Sequence, residues 1–181
     1  MAKDAKRRIL DGAFELLRAD GGAITLDATA KQVGLTKPGL MYHFPTKEAL
    51  MLGVVDYFAE RWEAQLAERL GQPPEAASPQ QRMRAYVEVA LSGRFDRADF
   101  AIYTNALCRE VLAAVWVRRL GSWLDLPDSL PGPVRARLTA VRLMADAYWA
   151  SAATGVFPVP DRDRAELLAV AESLLKDETS R

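Results

Sequence analysis

Lys37, Tyr42, His43 and Lys47 gather hydrogen-bond donors into one short stretch of chain, with Pro38, Gly39 and Met41 among them. Lys37 and His43 can donate to phosphate oxygens or to acceptors on base edges, and Tyr42 offers a flat apolar ring as well as a hydroxyl. Gly39 has no Cβ and lets the backbone approach another surface closely. Lys47 follows a capping threonine, and a cation in a helix's first turn is unfavourable to that helix. Together with the unpaired N–H groups of that turn it makes a phosphate site. The chemistry on offer is a grip on a polyanion, without bond making or breaking.

Catalysis is poorly served. His43 is the single histidine and already lies in that run, and the single cysteine, Cys108, has no second histidine to activate it. No glycine-rich phosphate loop, closely spaced metal-ligand cluster or serine elbow is present, so no catalytic residue, metal or cofactor is expected. The 181 residues are 50% hydrophobic and 27% charged, the composition of a soluble globular protein. Neither a membrane-length apolar run nor a signal peptide is visible, which predicts a cytoplasmic protein. Formal net charge is zero, although Met1 to Leu52 holds eight basic against six acidic residues and the remainder sixteen against eighteen. Near-neutrality implies that nucleic-acid affinity would depend on pairing two reading heads rather than on one strongly basic surface.

The elements that must position these residues read as helices throughout, predicting an all-α fold of nine helices. The first has Ile9, Leu10, Ala13, Phe14 and Leu17 on one face and stops at Asp20-Gly21-Gly22. The second runs from Leu26 to Val33 with Thr25 as cap, and Gly34-Leu35-Thr36 is a tight turn. Thr36 caps a third helix that tolerates Pro38 in its first turn, and a fourth begins after Pro45 with Thr46 as cap and continues to about Leu70. Leu26, Ala30 and Val33, with Leu35, Leu40 and Phe44, can face inward, which leaves Lys37 to Gly39 and Met41 to His43 outside. Two short helices joined in this way form a helix-turn-helix whose second member can enter the major groove. Residues 1–50 are assigned to this head and 51–181 to a helical body, with further helices at about 79–92, 97–106, 108–124, 133–154 and 161–177.

The run from Thr25 to Leu50, TLDATAKQVGLTKPGLMYHFPTKEAL, resembles the head of the tetracycline-repressor (TetR) family, and the match covers about residues 5 to 52. That resemblance implies a nine-helix fold, a homodimer on a (pseudo)palindromic operator, and release of DNA when a small apolar or aromatic effector enters the body. It places Thr25, Thr36, Lys37, Tyr42, His43 and Lys47 at DNA contacts, with Pro38, Gly39 and Met41 in the same surface. Thr29 stands where an aliphatic residue usually packs, and Met41 where a phosphate-binding tyrosine is common. An alternative is a ligand-independent DNA-binding adaptor or chromosome-organising protein using the same head.

In the body, the last two helices are the candidates for a subunit interface, through Leu138, Val141, Ala145 and Ala152 and through Leu167, Val170, Ala171 and Leu174. Phe100, Tyr103, Cys108, Trp116, Trp123, Met144, Tyr148 and Trp149 are the candidates for lining an effector pocket, since rings suit flat ligands. The same spacing also describes plain core. Asp146 interrupts an apolar run and could meet a cationic effector or pair with Arg142 one turn earlier; we favour the pair. Asp96, Asp99 and Glu110 are expected on solvated faces.

Overall fold

The computed structural model describes residues 2–20, 24–92, 97–107 and 110–176. Its elements are α1 (Ala2–Asp20), α2 (Leu26–Gln32), α3 (Lys37–His43), α4 (Lys47–Leu70), α5 (Pro79–Leu91), α6 (Arg97–Leu107), α7 (Glu110–Leu124), α8 (Gly132–Thr154) and α9 (Arg164–Leu175). Two 3-10 turns, Pro74–Ala76 and Asp161–Asp163, complete the regular structure, and no strand occurs among the described residues. The last helix therefore starts three residues later than expected, because Asp161–Asp163 is wound more tightly and closes with Asp163 N–H on Pro160 O at 2.9 Å. Among the described residues no helix is long and apolar enough to cross a membrane.

Two compact units divide these elements. The first comprises residues 1–61 and 97–119, the second 62–96 and 120–181. The boundary lies beyond residue 50 because Val54, Val55, Phe58 and Ala59 of α4 are all buried and extend the first unit's core. Phe14 meets Tyr57 edge-on at 5.6 Å, and Phe58 stacks on Trp116 at 5.5 Å. α1 and α2 approach so closely that a Cβ on Gly12 would stand 2.2 Å from Val33 Cγ1, so glycine is required there. Gly34 takes φ +68, and Leu35 N–H reaches Ala30 O at 2.9 Å, which closes α2 in the manner of a Schellman turn. Thr29 is fully buried in this core and its hydroxyl has no partner, a cost that an aliphatic side chain at this position would not carry.

In the second unit α5 packs against both α8 and α9. Ser78 and Gln81 form a reciprocal capping box at its start, with Pro79 in the first turn. Trp62 lies tilted on Tyr86 at 5.5 Å and edge-on to Trp149 at 5.5 Å. Arg82 is buried with its guanidinium on the carbonyls of Ser122 and Asp125, so a cation satisfies acceptors left open at the end of α7.

Candidate nucleic-acid interface and ligand clefts

Side-chain caps hold the reading head at its helix ends. Thr25 Oγ1 accepts from Ala28 N–H at 3.1 Å, Thr36 Oγ1 from Gly39 N–H at 3.2 Å and Thr46 Oγ1 from Ala49 N–H at 3.0 Å. A hydroxyl that accepts a backbone proton still has its own proton to donate, so capping leaves Thr25 and Thr36 able to reach a phosphate. α3 buries only Leu40. Lys37, Pro38, Met41 and Tyr42 are exposed, while Gly39 and His43 are half-covered. Tyr42 is 84% exposed and touches His43 edge-on at 5.1 Å, leaving its ring face open. Lys37 pairs with Asp27 at 3.0 Å, but both side chains are largely solvated. Such a pair contributes little, and the lysine can exchange it for a phosphate. Lys47 is exposed at the first position of α4, beside the Thr46 cap.

The body candidates fall into separate groups. In the first unit, Phe100 and Tyr103 are half-buried on α6, and Tyr103 meets Trp116 of α7 edge-on at 5.3 Å. Trp123, Tyr148 and Trp149 are buried in the second unit and Met144 is half-buried. Trp123 is enclosed, with its indole N–H lacking an acceptor, so it fills core rather than lining a cleft. Cys108 lies outside the described residues, as does Asp96. Tyr148 and Trp149 line a cleft of about 300 Å3 with Ala90, Ala152, Pro158 and Val159. A larger cleft of about 800 Å3, walled by Gln65, Glu68, Arg69, Glu88 and Ser92, includes none of the eight aromatic and soft side chains selected by spacing.

Among the carboxylates, one departs from its expected surroundings. Asp99 is fully buried with Arg61 at 4.0 Å, a correction to its solvated reading; its flanking residues Ala98 and Ile102 are core. Glu110 is exposed, as expected. Asp146 pairs with Arg142 at 3.0 Å and accepts from Tyr86 O–H at 2.6 Å. Burial holds its pKa above the usual carboxylate value, against the Tyr86 hydrogen bond and the Arg142 charge. In the first unit, Asp56 receives the Arg119 fork at 2.8 and 2.7 Å. That hydrogen bonding lowers its pKa despite partial burial, helped by the charges of Arg119 and Arg118.

The sequence model of the tetracyclin repressor-like C-terminal domain matches residues 80–176, and that of the bacterial regulatory proteins of the tetR family matches residues 9–54. The chain belongs to the tetracycline-repressor family. The HTH-type transcriptional regulator EthR of Mycolicibacterium smegmatis is 31% identical over 87 residues, 48% of this chain and 39% of that protein. The nucleoid occlusion factor SlmA of Marinomonas sp. is 36% identical over 58 residues, 32% of this chain and 29% of that protein. The matched stretches thus span well under half of either curated relative. Among solved structures, the multidrug binding protein EbrR in complex with malachite green superposes with TM-score 0.66 at 21% identity, covering 95% of this chain and 98% of that one. A TetR-family member from Streptomyces coelicolor superposes with TM-score 0.59 at 20% identity, covering 95% and 98%. At these identities the superpositions establish a TetR fold.

Within that fold, the spacing that selects Leu138, Val141, Ala145 and Ala171 marks the inner seam of α8 and α9. All four are buried in their own unit and have no surface left for a second subunit, which corrects their reading as interface. Ala152 and Val170 are exposed and Leu167 and Leu174 half-covered. Leu143, not singled out by spacing, is 53% exposed on α8. Arg164 and Asp161, which wall both clefts of the second unit, were also missed, because a charged pair at a helix start reads as ordinary solvated surface.

Proposed function

We propose that this chain is a sequence-specific DNA-binding transcriptional repressor, acting as a homodimer on a (pseudo)palindromic operator and released by a small apolar or aromatic effector. The observation that carries the reading is α3, whose outward residues Lys37 to His43 have no internal packing role while Leu40 alone anchors it. A helix so mounted fits a major groove, and the capped ends beside Thr25, Thr36 and Lys47 suit the flanking phosphates. EthR, matched over 87 residues, supports the regulatory role, and the complex of EbrR with malachite green supports a body of this fold accepting an aromatic molecule. The cleft beside Tyr148 and Trp149 is the site favoured for it; Met144, Phe100, Tyr103 and Trp116 do not line it. For the dimer, Leu143, Ala152 and Val170, flanked by Leu167 and Leu174, are the surface that remains available on α8 and α9. The ligand-independent adaptor reading is not favoured, since the body has clefts for a small molecule and matches the repressor-like C-terminal domain over residues 80–176.

Selection of bound duplexes from random DNA, followed by gel-shift titration, tests the reading. Lys47→Ala is expected to weaken binding to every duplex and to reduce the slope of log affinity against log salt by about one, as loss of one phosphate contact does. Tyr42→Ala is expected to narrow the affinity ratio between selected and random duplexes. Wild-type behaviour of both variants would remove the mechanism.

A further inference from the structure

A salt bridge spans the two short helices of the reading head. Lys37, the first residue of α3, donates through Nζ to Asp27 Oδ2 at 3.0 Å, in the first turn of α2. Both side chains stay within reach of a partner, at 50% exposure for the lysine and 71% for the aspartate. Thr25 and Thr36, which cap these helices, stand two positions before Asp27 and one before Lys37. The pair therefore belongs to the surface that carries the groove and phosphate contacts, and the first residues of a recognition helix are the ones that reach base edges. A carboxylate in that place calls for an explanation, because alone it would be repelled by the polyanion that its neighbours attract.

We propose that Asp27 is a specificity-determining residue, and that Asp27 and Lys37 together read one G·C base pair from the major groove. This rests on the DNA-binding reading above and deepens it. An ammonium has three donors and Asp27 engages one, which leaves two for adjacent acceptors; a carboxylate likewise accepts more than one bond. Across the major-groove edge of a G·C pair the order is guanine N7 acceptor, guanine O6 acceptor, cytosine N4 donor. Lys37 takes the two acceptors and Asp27 the donor. The spacing fits: O6 and N4 are joined by the base pair's own hydrogen bond and so stand about 2.9 Å apart, and Lys37 Nζ and Asp27 Oδ2 are 3.0 Å apart. The lysine's charge admits the carboxylate to the groove, since the two approach the bases as a neutral pair. An A·T pair orders its edge acceptor, donor, acceptor, so the ammonium reaches only one acceptor beside the donor and a bond is lost. Asp27 also restrains Lys37, since a lone lysine is a flexible point charge that any phosphate satisfies. On a random duplex Lys37 can still leave Asp27 for a phosphate; over G·C it keeps the carboxylate and gains the bases.

Selection from random duplexes by the full chain and by Lys37→Ala locates the base pair, which is the one whose preference disappears in the variant. At that position the wild type is expected to select G·C and to lose about tenfold on A·T, the discrimination of one bidentate contact. N4-methylcytosine in place of the cytosine keeps base pairing and removes the donor from the groove. Gel-shift titration is expected to show that this methyl group weakens wild-type binding about tenfold, the scale of a hydrogen bond to a charged group. Asp27→Ala is expected to respond to it by less than about twofold, and to narrow the ratio of G·C to A·T affinity. Circular dichroism melting checks that the variants fold, and the methylcytosine measurement on the wild type needs no variant. Selection unchanged in Lys37→Ala, a pair other than G·C at the position found, or wild-type affinity indifferent to the methyl group overturns the proposal. So does an equal methyl penalty in Asp27→Ala, which would mark a steric clash, or tighter binding of that variant to all duplexes alike, which would make Asp27 a mere competitor of the phosphates. Recovery of a selected duplex while these contrasts fail sinks this inference alone; recovery of no duplex sinks the repressor reading as well.

Discussion

Helices α3 and α5 have opposite relations to the core. α3 buries one of its seven residues, whereas α5 buries eight of its 13. α5 is gripped along its sides by α8 and α9 and only trimmed at its start by the Ser78 box. α3 is held from its ends, by the Thr36 cap and the Gly34 turn, with Leu40 as its lateral anchor. The difference teaches that a helix meant to be read by a partner gives up lateral packing and compensates with local hydrogen bonds. The cost is a low reserve of stability in the element that carries specificity.

The largest expected effect tests the single anchor. Leu40→Ala should cost about 3 kcal/mol, the usual range for emptying a buried leucine site, and should lower the thermal midpoint and DNA affinity together. Tyr42→Ala, on the opposite side of the helix and solvated, should change stability by no more than about 0.5 kcal/mol while still impairing sequence preference. Leu40→Ala costing no more than Tyr42→Ala would break the comparison, because α3 would then be held by its ends alone. A smaller effect sharpens the role of the ends. Thr36→Ala should cost about 1 kcal/mol and speed hydrogen exchange throughout α3, whereas Ser78→Ala, at similar local cost, should leave the α5 amides protected by their packing. Equal acceleration in both helices would show that lateral burial does not make the difference.

The smallest effects distinguish the two units by pH. Asp56 has a native pKa below its ordinary value of 3.8, so its contribution to stability is present above that value and is lost as pH falls through the lower native one. Asp146 is shifted the other way; the native state holds its proton more tightly, and stability declines as pH rises from 3.8 through the raised value. Urea midpoints across the acid range should therefore show Asp56→Asn losing the acid sensitivity of the first unit and Asp146→Asn losing the decline on neutralisation. The same sign in both variants would contradict these environments.

The head was legible because its determinants are short. Thr25, Thr36 and Thr46 each cap a group three residues ahead, and Gly34 meets a requirement of its own backbone. The exposure of Tyr42 and the inward turn of Leu40 followed from the helical period once those ends were known. The body was legible as helices but not as sites. Trp123 and Trp149 have the same helical signature, yet one is sealed in core and the other borders a cleft. Asp99 reads as surface in a string of letters and is fully enclosed.

Helix number, head boundaries near the caps and the outward face of α3 belong to the order of residues, because hydrogen bonds spanning three or four positions settle them. Which face of α8 is seam and which is free, whether Arg82 caps a helix or meets solvent, and where Arg164 finds a cavity depend on segments tens of residues apart meeting in space. Helical spacing specifies that a face is apolar. Only packing decides whether that face is filled by the chain itself, left open for a second copy, or left hollow for a ligand.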